Sequence, residues 1–436
     1  MRNATRALGL LLLCFFGNIT YSEATEKTLT IQEAVATALA YHPTLRIGTT
    51  AIEAAQARVR QQIAGYLPRG AYTYAFNRRQ QPLSSAVSGV QVGGESRAIA
   101  QIYDYNSTNF TMSQLLFDFG RTLDNIRAAS ASVEASTADL ETTRQTVIVN
   151  AKQAYYGLLS SQHLLRVAEE TLRQNQQHRE EAEARFAVGV APRFDVTQAQ
   201  VQVSTAELDL VTARNNVVLG QDTLLTAMGV NEPFDFLLVD APDHRLVTIT
   251  DESVLQQAYL ARSELHSLRA QQQAATRQIS SLQKQMLPSL SGNAQYNWTG
   301  REYPLQEGWI LGVLLTVPLF DDILTIAQVS EAQANLRSLE AQEDDLEQQI
   351  TLEVRRSLLE VRRAEQSIRV TEQTVVQARE NLDLAEGRYS AGVGNIIEVT
   401  DAQVSFSAAR ANAIQAVYSH KIALAQLERA LGRSLE

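Results

Sequence analysis

Leu290-Ser291-Gly292-Asn293-Ala294-Gln295-Tyr296-Asn297-Trp298 alternates without a break. Leu290, Gly292, Ala294, Tyr296 and Trp298 are apolar or glycine, and every residue between them is polar. Successive side chains of a strand point to opposite faces, so the stretch predicts a β-strand with one apolar and one small polar face. Its length, about ten residues, is that of a tilted membrane strand, and apolar-out, polar-in is the pattern of a barrel wall around water. Trp309, Leu311, Val313, Leu315, Val317 and Leu319 predict the partner strand, whose reverse face (Ile310, Gly312, Leu314, Thr316, Pro318) is less polar. Trp298 and Trp309 flank the short loop, where an interfacial aromatic girdle sits. Far upstream, Tyr72, Tyr74 and Phe76 alternate with Ala71, Thr73, Ala75 and Asn77, and Phe110, Met112 and Leu116 lie on a less regular partner.

Four such strands cannot close on themselves, because single-chain barrels start at about eight. Open edges do not persist in lipid. If these strands enter a membrane, several copies must share one barrel, and oligomerisation becomes a requirement of the fold.

The strands belong to an internal duplication. Tyr66-Leu67-Pro68 matches Met286-Leu287-Pro288 at an offset of 220, as Ala38 to Leu45 matches Ala258 to Leu265. Leu116-Phe117-Asp118 matches Leu319-Phe320-Asp321 at an offset of 203, as does Arg185-Phe186-Ala187-Val188-Gly189-Val190 with Arg388-Tyr389-Ser390-Ala391-Gly392-Val393. The second copy has lost loop residues relative to the Gly/Ser-rich stretch at 78–107. Each copy reads helix, strand, loop, strand, long helix, tight turn, shorter helix. The expected organisation is a leader at 1–24, a first repeat over 25–240 and a second over 241–436. The first repeat has a β-hairpin at 68–119, an α-hairpin at 121–228 and a linker around 229–250. The second has a β-hairpin at 288–320 and an α-hairpin at 322–431.

Apolar residues recur every seven positions in the long helices: Ile126, Val133, Leu140, Val147 and Ala154; Val196, Val203, Leu210, Val217 and Leu224; Val354, Val361, Ile368, Val375 and Leu382. A strict heptad imposes left-handed supercoiling. Between Gly120 and Gly189 lie 68 residues, roughly 100 Å of helix at 1.5 Å per residue, and a similar stretch ends near Gly387. The return helices, near Asp195–Met228 and Ile396–Leu431, cover about half that length. The helices before each Leu-Pro, near Pro43–Ala64 and Ser263–Met286, can cover the rest. Half-length helices stacked end to end beside long ones make a rod.

Arg2, Arg6, the apolar run Ala7 to Gly17 and the small residues Ser22 and Ala24 predict an export signal cleaved after Ala24. The only cysteine, Cys14, falls in it, so no disulfide, thiolate metal site or cysteine nucleophile is expected beyond it. The net charge of −10 disfavours nucleic acid. The histidines are scattered and form no catalytic or metal motif, so neither enzymatic activity nor a cofactor is expected. His420 shares a face with Val399, Phe406, Ala413 and Leu427 and reads as a buried structural histidine.

Leu-Phe-Asp-Phe-Gly-Arg at 116–121, Pro-Leu-Phe-Asp at 318–321 and the two Gly turns, in duplicated order, resemble the TolC family of outer-membrane efflux channels across nearly the whole chain. The resemblance implies a homotrimer in the outer membrane. It would be a twelve-stranded β-barrel, four strands per chain, continued by an α-helical coiled-coil barrel through the periplasm. It further implies a passive exit duct for efflux or type I secretion, energised by an inner-membrane transporter through a periplasmic adaptor protein. Carried over by position, Glu398 and Asp401 would form an acidic ring at a periplasmic gate, and Asp195 and Tyr389 a latch. The tips around Arg185, Gly189, Arg388 and Gly392 would dock the adaptor. An arginine expected shortly before the acidic pair is replaced by Gly394. The competing reading is a soluble periplasmic coiled-coil adaptor or scaffold.

Overall fold

The computed structural model describes residues 27–82, 100–231, 233, 236–240, 251–319 and 322–432. The expected leader with Cys14, most of the Gly/Ser-rich loop, much of the 229–250 linker, and Phe320 and Asp321 lie outside them. In chain order the elements are β1 (Lys27–Leu29), α1 (Ile31–Tyr41), α2 (Pro43–Ile63), β2 (Arg69–Pro82), β3 (Ala100–Phe117), α3 (Arg121–Ala187) and α4 (Arg193–Met228). Then come β4 (Phe236–Leu238), α5 (Asp251–Ala261), α6 (Ser263–Lys284), β5 (Ser289–Gly300), β6 (Gln306–Thr316), α7 (Asp322–Ser390) and α8 (Ile396–Ala430).

The two hairpins join into one antiparallel sheet in the order β2-β3-β5-β6. Its register places Tyr72, Phe110, Tyr296 and Trp309 side by side across all four strands. Below this aromatic row Leu311, Val313 and Leu315 are 75%, 67% and 60% exposed. A soluble sheet would bury such a face, since this is far more contiguous apolar surface than a water-exposed sheet carries. From Trp309 to Thr316, the end of β6, the strand advances about 23 Å, most of the height of the apolar band of a membrane barrel, about 25 Å. β2 and β6 are the sheet's unpaired edges.

β2 and β3 run further than the alternation predicts. The ladder continues from Asn77–Tyr105 through Arg78–Asp104 to Pro82–Ala100, so part of the stretch expected as loop is strand. The residues there no longer separate into an apolar and a polar face: Arg78, Asp104, Gln80 and Ile102 share one side, Asn77, Tyr105, Arg79 and Tyr103 the other. Backbone pairing extends the hairpin above the apolar band, where a face pattern is not needed.

β3 passes into α3 through a capped corner. Phe119 and Gly120 adopt positive φ, 55° and 81°. The Asp118 carboxylate accepts from the Gly120 and Thr122 amides and the Thr122 hydroxyl, at 3.1, 2.8 and 2.5 Å. The Leu-Phe-Asp-Phe-Gly motif is thus a strand-to-helix joint whose acid satisfies amides that the first helical turn leaves free.

The helices form a layer. Away from the sheet the order is α4-α3-α8-α7; nearer the sheet it is α2-α3-α6-α7. α4 stops at Gly229 (φ 71°) directly against His42, just ahead of α2, and α8 stops at Gly432 (φ 69°) against Ala261, just ahead of α6. A Cβ would meet His42 Cα at 2.7 Å and Ala261 O at 2.8 Å, so both end-to-end joints need glycine. α7 runs through Gly387 to Ser390, slightly beyond the end expected from sequence.

The heptads of α4 and α7 bury as a coiled-coil seam should: Val203, Leu210 and Leu224 on one, Val354, Val361 and Leu382 on the other. Of the α3 run only Val147 is buried. α3 has helices on both sides, so its burial spreads onto small residues such as Ala131, Ala135 and Ala151. The two largest cores are repeat-related and sit at the joints. One gathers Tyr155, Leu158, Leu224 and Met228, the other Val354, Val361, Leu427 and Leu431. Beside the first, the Tyr155 hydroxyl donates to Leu29 O or Val239 O, each 2.8 Å away, and ties the β1–β4 ribbon to α3. His420 is buried, its Nε2 3.8 Å from Glu365. Among the described residues, no helix is long and apolar enough to cross a membrane.

Candidate gate at the hairpin tips

The α3–α4 and α7–α8 turns are built alike. Val190 N–H donates to Arg185 O and Gly189 N–H to Phe186 O; Val393 N–H donates to Arg388 O and Gly392 N–H to Tyr389 O, all at 3.0 Å. This is the Schellman closure. Gly189 and Gly392 take its left-handed position at φ 78° and 76°. Nothing lies within 4 Å of a Cβ at either, so dihedral freedom rather than space demands glycine. Val188, Val190 and Val393 stand exposed at the tips.

Behind the tips the hairpins hold each other. The Tyr389 hydroxyl donates to Asp195 Oδ2 at 3.3 Å, and both residues are buried. Burial and the Asp195 charge push the Tyr389 phenol above its usual range, keeping it a neutral donor. Arg185 crosses from the first hairpin to the second. Its Nη1 and Nη2 donate to Tyr389 O and Ser390 O at 3.0 and 3.4 Å, and its guanidinium stacks 4.6 Å from the Tyr389 ring. Tyr389 O, which also accepts from Gly392 N–H, and Ser390 O at the end of α7 thereby receive a cation, the charge that a helix C-terminus favours.

Arg388 behaves differently. It stays within its own hairpin and pairs with Glu398 at 3.2 Å. Gly394 leaves room for this: a Cβ there would lie 3.0 Å from Arg388 Cβ and 3.1 Å from Tyr389 N. Glu398 also opens α8, its amide capped by Asn395 Oδ1 at 2.9 Å. Asp401, one turn on, is exposed and has no ion pair among the described residues. The two acids expected as a ring therefore differ, one held by an arginine and one open to solvent.

A polar seam that the sequence reading missed continues up α3. His178 faces Glu386 at 3.5 Å. Gln174 accepts from Gln403 Nε2 at 2.6 Å, Thr171 meets Ser407 at 3.0 Å, and Glu170 accepts from Arg410 at 2.6 Å. The signal was present in the spacing 171, 174, 178, 185, a polar heptad stripe on a helix examined for its apolar one. Higher up, Asp240 receives the Tyr418 hydroxyl at 2.7 Å and Lys421 Nζ at 2.9 Å, with His163 at 3.4 Å. Burial raises the Asp240 pKa. The two hydrogen bonds and the Lys421 and His163 charges outweigh that and hold it below the ordinary value.

The family model for outer membrane efflux proteins matches residues 34–230 and 254–433. The chain is 24% identical to outer membrane protein TolC of Escherichia coli over 349 residues, 75% of this chain and 69% of that protein. It is 25% identical to protein CyaE of Bordetella pertussis over 417 residues, 93% and 85% of the two chains. The fold superposes on the Campylobacter jejuni CmeC outer membrane channel with a TM-score of 0.80 at 16% identity, covering 99% of this chain and 94% of that one.

Proposed function

We propose, for a chain that belongs to the outer membrane efflux protein family, that three copies form one conduit serving as the passive exit duct of a tripartite efflux or type I secretion system. The chain is an outer-membrane channel protein whose helices extend into the periplasm. The observation that carries the assembly is the sheet. It presents a continuous lipid-type face and two unpaired edges, β2 and β6, which lipid does not tolerate. Three sheets of four strands make a closed twelve-stranded wall. The outermost helices agree with this. α4 exposes Leu208, Val211, Val218 and Leu219, and α7 exposes Leu352, Leu359 and Leu384, so α4 of one copy can cover α7 of the next. A soluble adaptor would have no use for the apolar sheet.

In this reading the repeats divide at about residue 240, the tips around Gly189 and Gly392 meet a periplasmic adaptor, and an inner-membrane transporter supplies the energy. The Asp195–Tyr389 bond and the Arg185 bridge hold the hairpins together at the periplasmic end, and Glu398 and Asp401 line the entrance. Purified protein should require detergent, size as three chains and form pores in a planar bilayer. Recovery as a detergent-free soluble protein would sink the proposal.

A further inference from the structure

We infer that the extracellular mouth of the barrel carries an anion-binding subsite, built from Arg79, Tyr105, Tyr103 and Arg301, that receives organic anions as they leave. The inference rests on the channel reading above. The register that puts Tyr72, Phe110, Tyr296 and Trp309 on the lipid face puts Arg79, Tyr103 and Tyr105 on the other, with Asn109 and Asn297. Arg301 follows β5 and lies over the Tyr103 ring at 3.7 Å, while Arg79 lies over the Tyr105 ring at 4.8 Å. Two guanidinium groups are thus stacked on two neighbouring phenol rings at the top of the lumen wall.

Three features make this more than a pair of surface arginines. First, the wall below is neutral: Ser291, Asn293, Gln295, Asn297 and Thr299 on β5, Ser107, Asn109, Thr111 and Ser113 on β3. Among the described strand residues the other lumen-facing charge is Arg69, at the opposite end of β2, and no carboxylate shares that face. Second, the nearby acids are committed or displaced. Asp104 is on the lipid side beside Arg78 at 3.6 Å, Glu307 accepts from Tyr296 on that side at 2.8 Å, and Glu302 follows in the β5–β6 turn. Neither Arg79 nor Arg301 has an ion pair or a side-chain hydrogen bond among the described residues. Third, each guanidinium lies over an aromatic ring without spending its N–H groups on a side-chain acceptor, which leaves them for forked binding of a carboxylate, sulfonate or phosphate. The matching ligand is an organic anion with a forked acidic group, and a trimer would offer three such pairs around its mouth.

A trisulfonated hydroxypyrene dye is a suitable probe. In a planar bilayer the polar helical tunnel cannot cross lipid, so protein added to one side presents its mouth to the other. Dye added on the mouth side should reduce the current, and R79Q/R301Q should raise the half-blocking concentration by about tenfold at 0.1 M salt, where charges further than about 10 Å away are screened. R79K/R301K, which keeps the charge and loses the stacked fork, should fall between. Dye anisotropy with detergent-purified protein reads the same subsite without conduction, so a preparation that forms no pores contradicts the channel reading and leaves this assay standing. Equal block and equal anisotropy for parent and glutamine variant would overturn the inference.

Discussion

Replacing Tyr389 by Phe removes one hydroxyl from the seam between the hairpins and little else. The ring stays packed against Leu382, Val399 and Phe406, and the Arg185 guanidinium keeps its aromatic face and its bond to the Tyr389 carbonyl. What is lost is the donor to Asp195 at 3.3 Å. A hydrogen bond to a charged acceptor contributes about 1.5–3 kcal/mol, and the long distance selects the lower end, about 1.5 kcal/mol per copy. That is roughly a tenfold change in the open-to-closed ratio of one latch. If three latches must release together, the sum is about 4–5 kcal/mol, on the order of a thousandfold. Single-channel recording should show Tyr389→Phe moving from rare to frequent openings at unchanged voltage. Asp195→Asn in the same background should add little, because the partner is already gone. Open probability equal to that of the parent in Tyr389→Phe and Asp195→Ala alike would refute the latch.

Arg185→Ala removes two carbonyl bonds and a ring contact, so it should open the channel at least as far as Tyr389→Phe; Arg388→Ala, whose partner Glu398 lies in its own hairpin, should open it less. Replacing Glu398 and Asp401 with Ala should weaken block by a trivalent cation added on the tip side, with Asp401 alone accounting for most of the change because Glu398 is already paired. Trp309→Lys puts a charge at the upper edge of the lipid face and should cost about 1 kcal/mol, whereas Val313→Lys, deeper in the band, should cost about 2–4 kcal/mol and reduce the amount assembled in the outer membrane. The Asp240 carboxyl titrates below its ordinary value, so the stability it lends is complete above about pH 4 and is lost as pH falls through the lowered value. Thermal unfolding should show a drop in that acid range that Asp240→Asn lacks.

Much of this architecture could be read before any coordinates, for reasons that differ by element. The 290–298 strand and its partner declare themselves because a wall between lipid and water imposes two faces, and the heptads of α4 and α7 because each has one dominant neighbour. The α3 heptad was a poorer guide to burial because that helix is surrounded. The upper part of the β2–β3 hairpin was illegible because it leaves the lipid, and with it the pressure to alternate. β1 and β4, three residues each, are too short to carry a pattern. Among the proposed gate residues the glycines follow from the turn alone, whereas Asp195 and Tyr389 are reached only through resemblance. The Arg185 bridge looked equivalent to Arg388 by repeat symmetry. The structure breaks that symmetry, because Gly394 frees Arg388 to fold onto Glu398 while Arg185 reaches the last carbonyls of α7. The Asp240 cluster joins residues 163, 240, 418 and 421, and no local pattern announces a contact across such separations.

In the proposed trimer β2 of one copy pairs with β6 of the next. Within one chain these strands are separated by two others, so their backbones lie about 14 Å apart, beyond the Cα distance of about 7 Å that a disulfide spans. With Cys14 replaced by Ser, a cysteine at Tyr72 combined with cysteines scanned from Trp309 to Leu315 can therefore cross-link only between copies. At one register oxidised membranes should give dimer and trimer bands on a non-reducing gel and nothing larger. Monomer at every register, or a ladder continuing past three, would contradict the trimer.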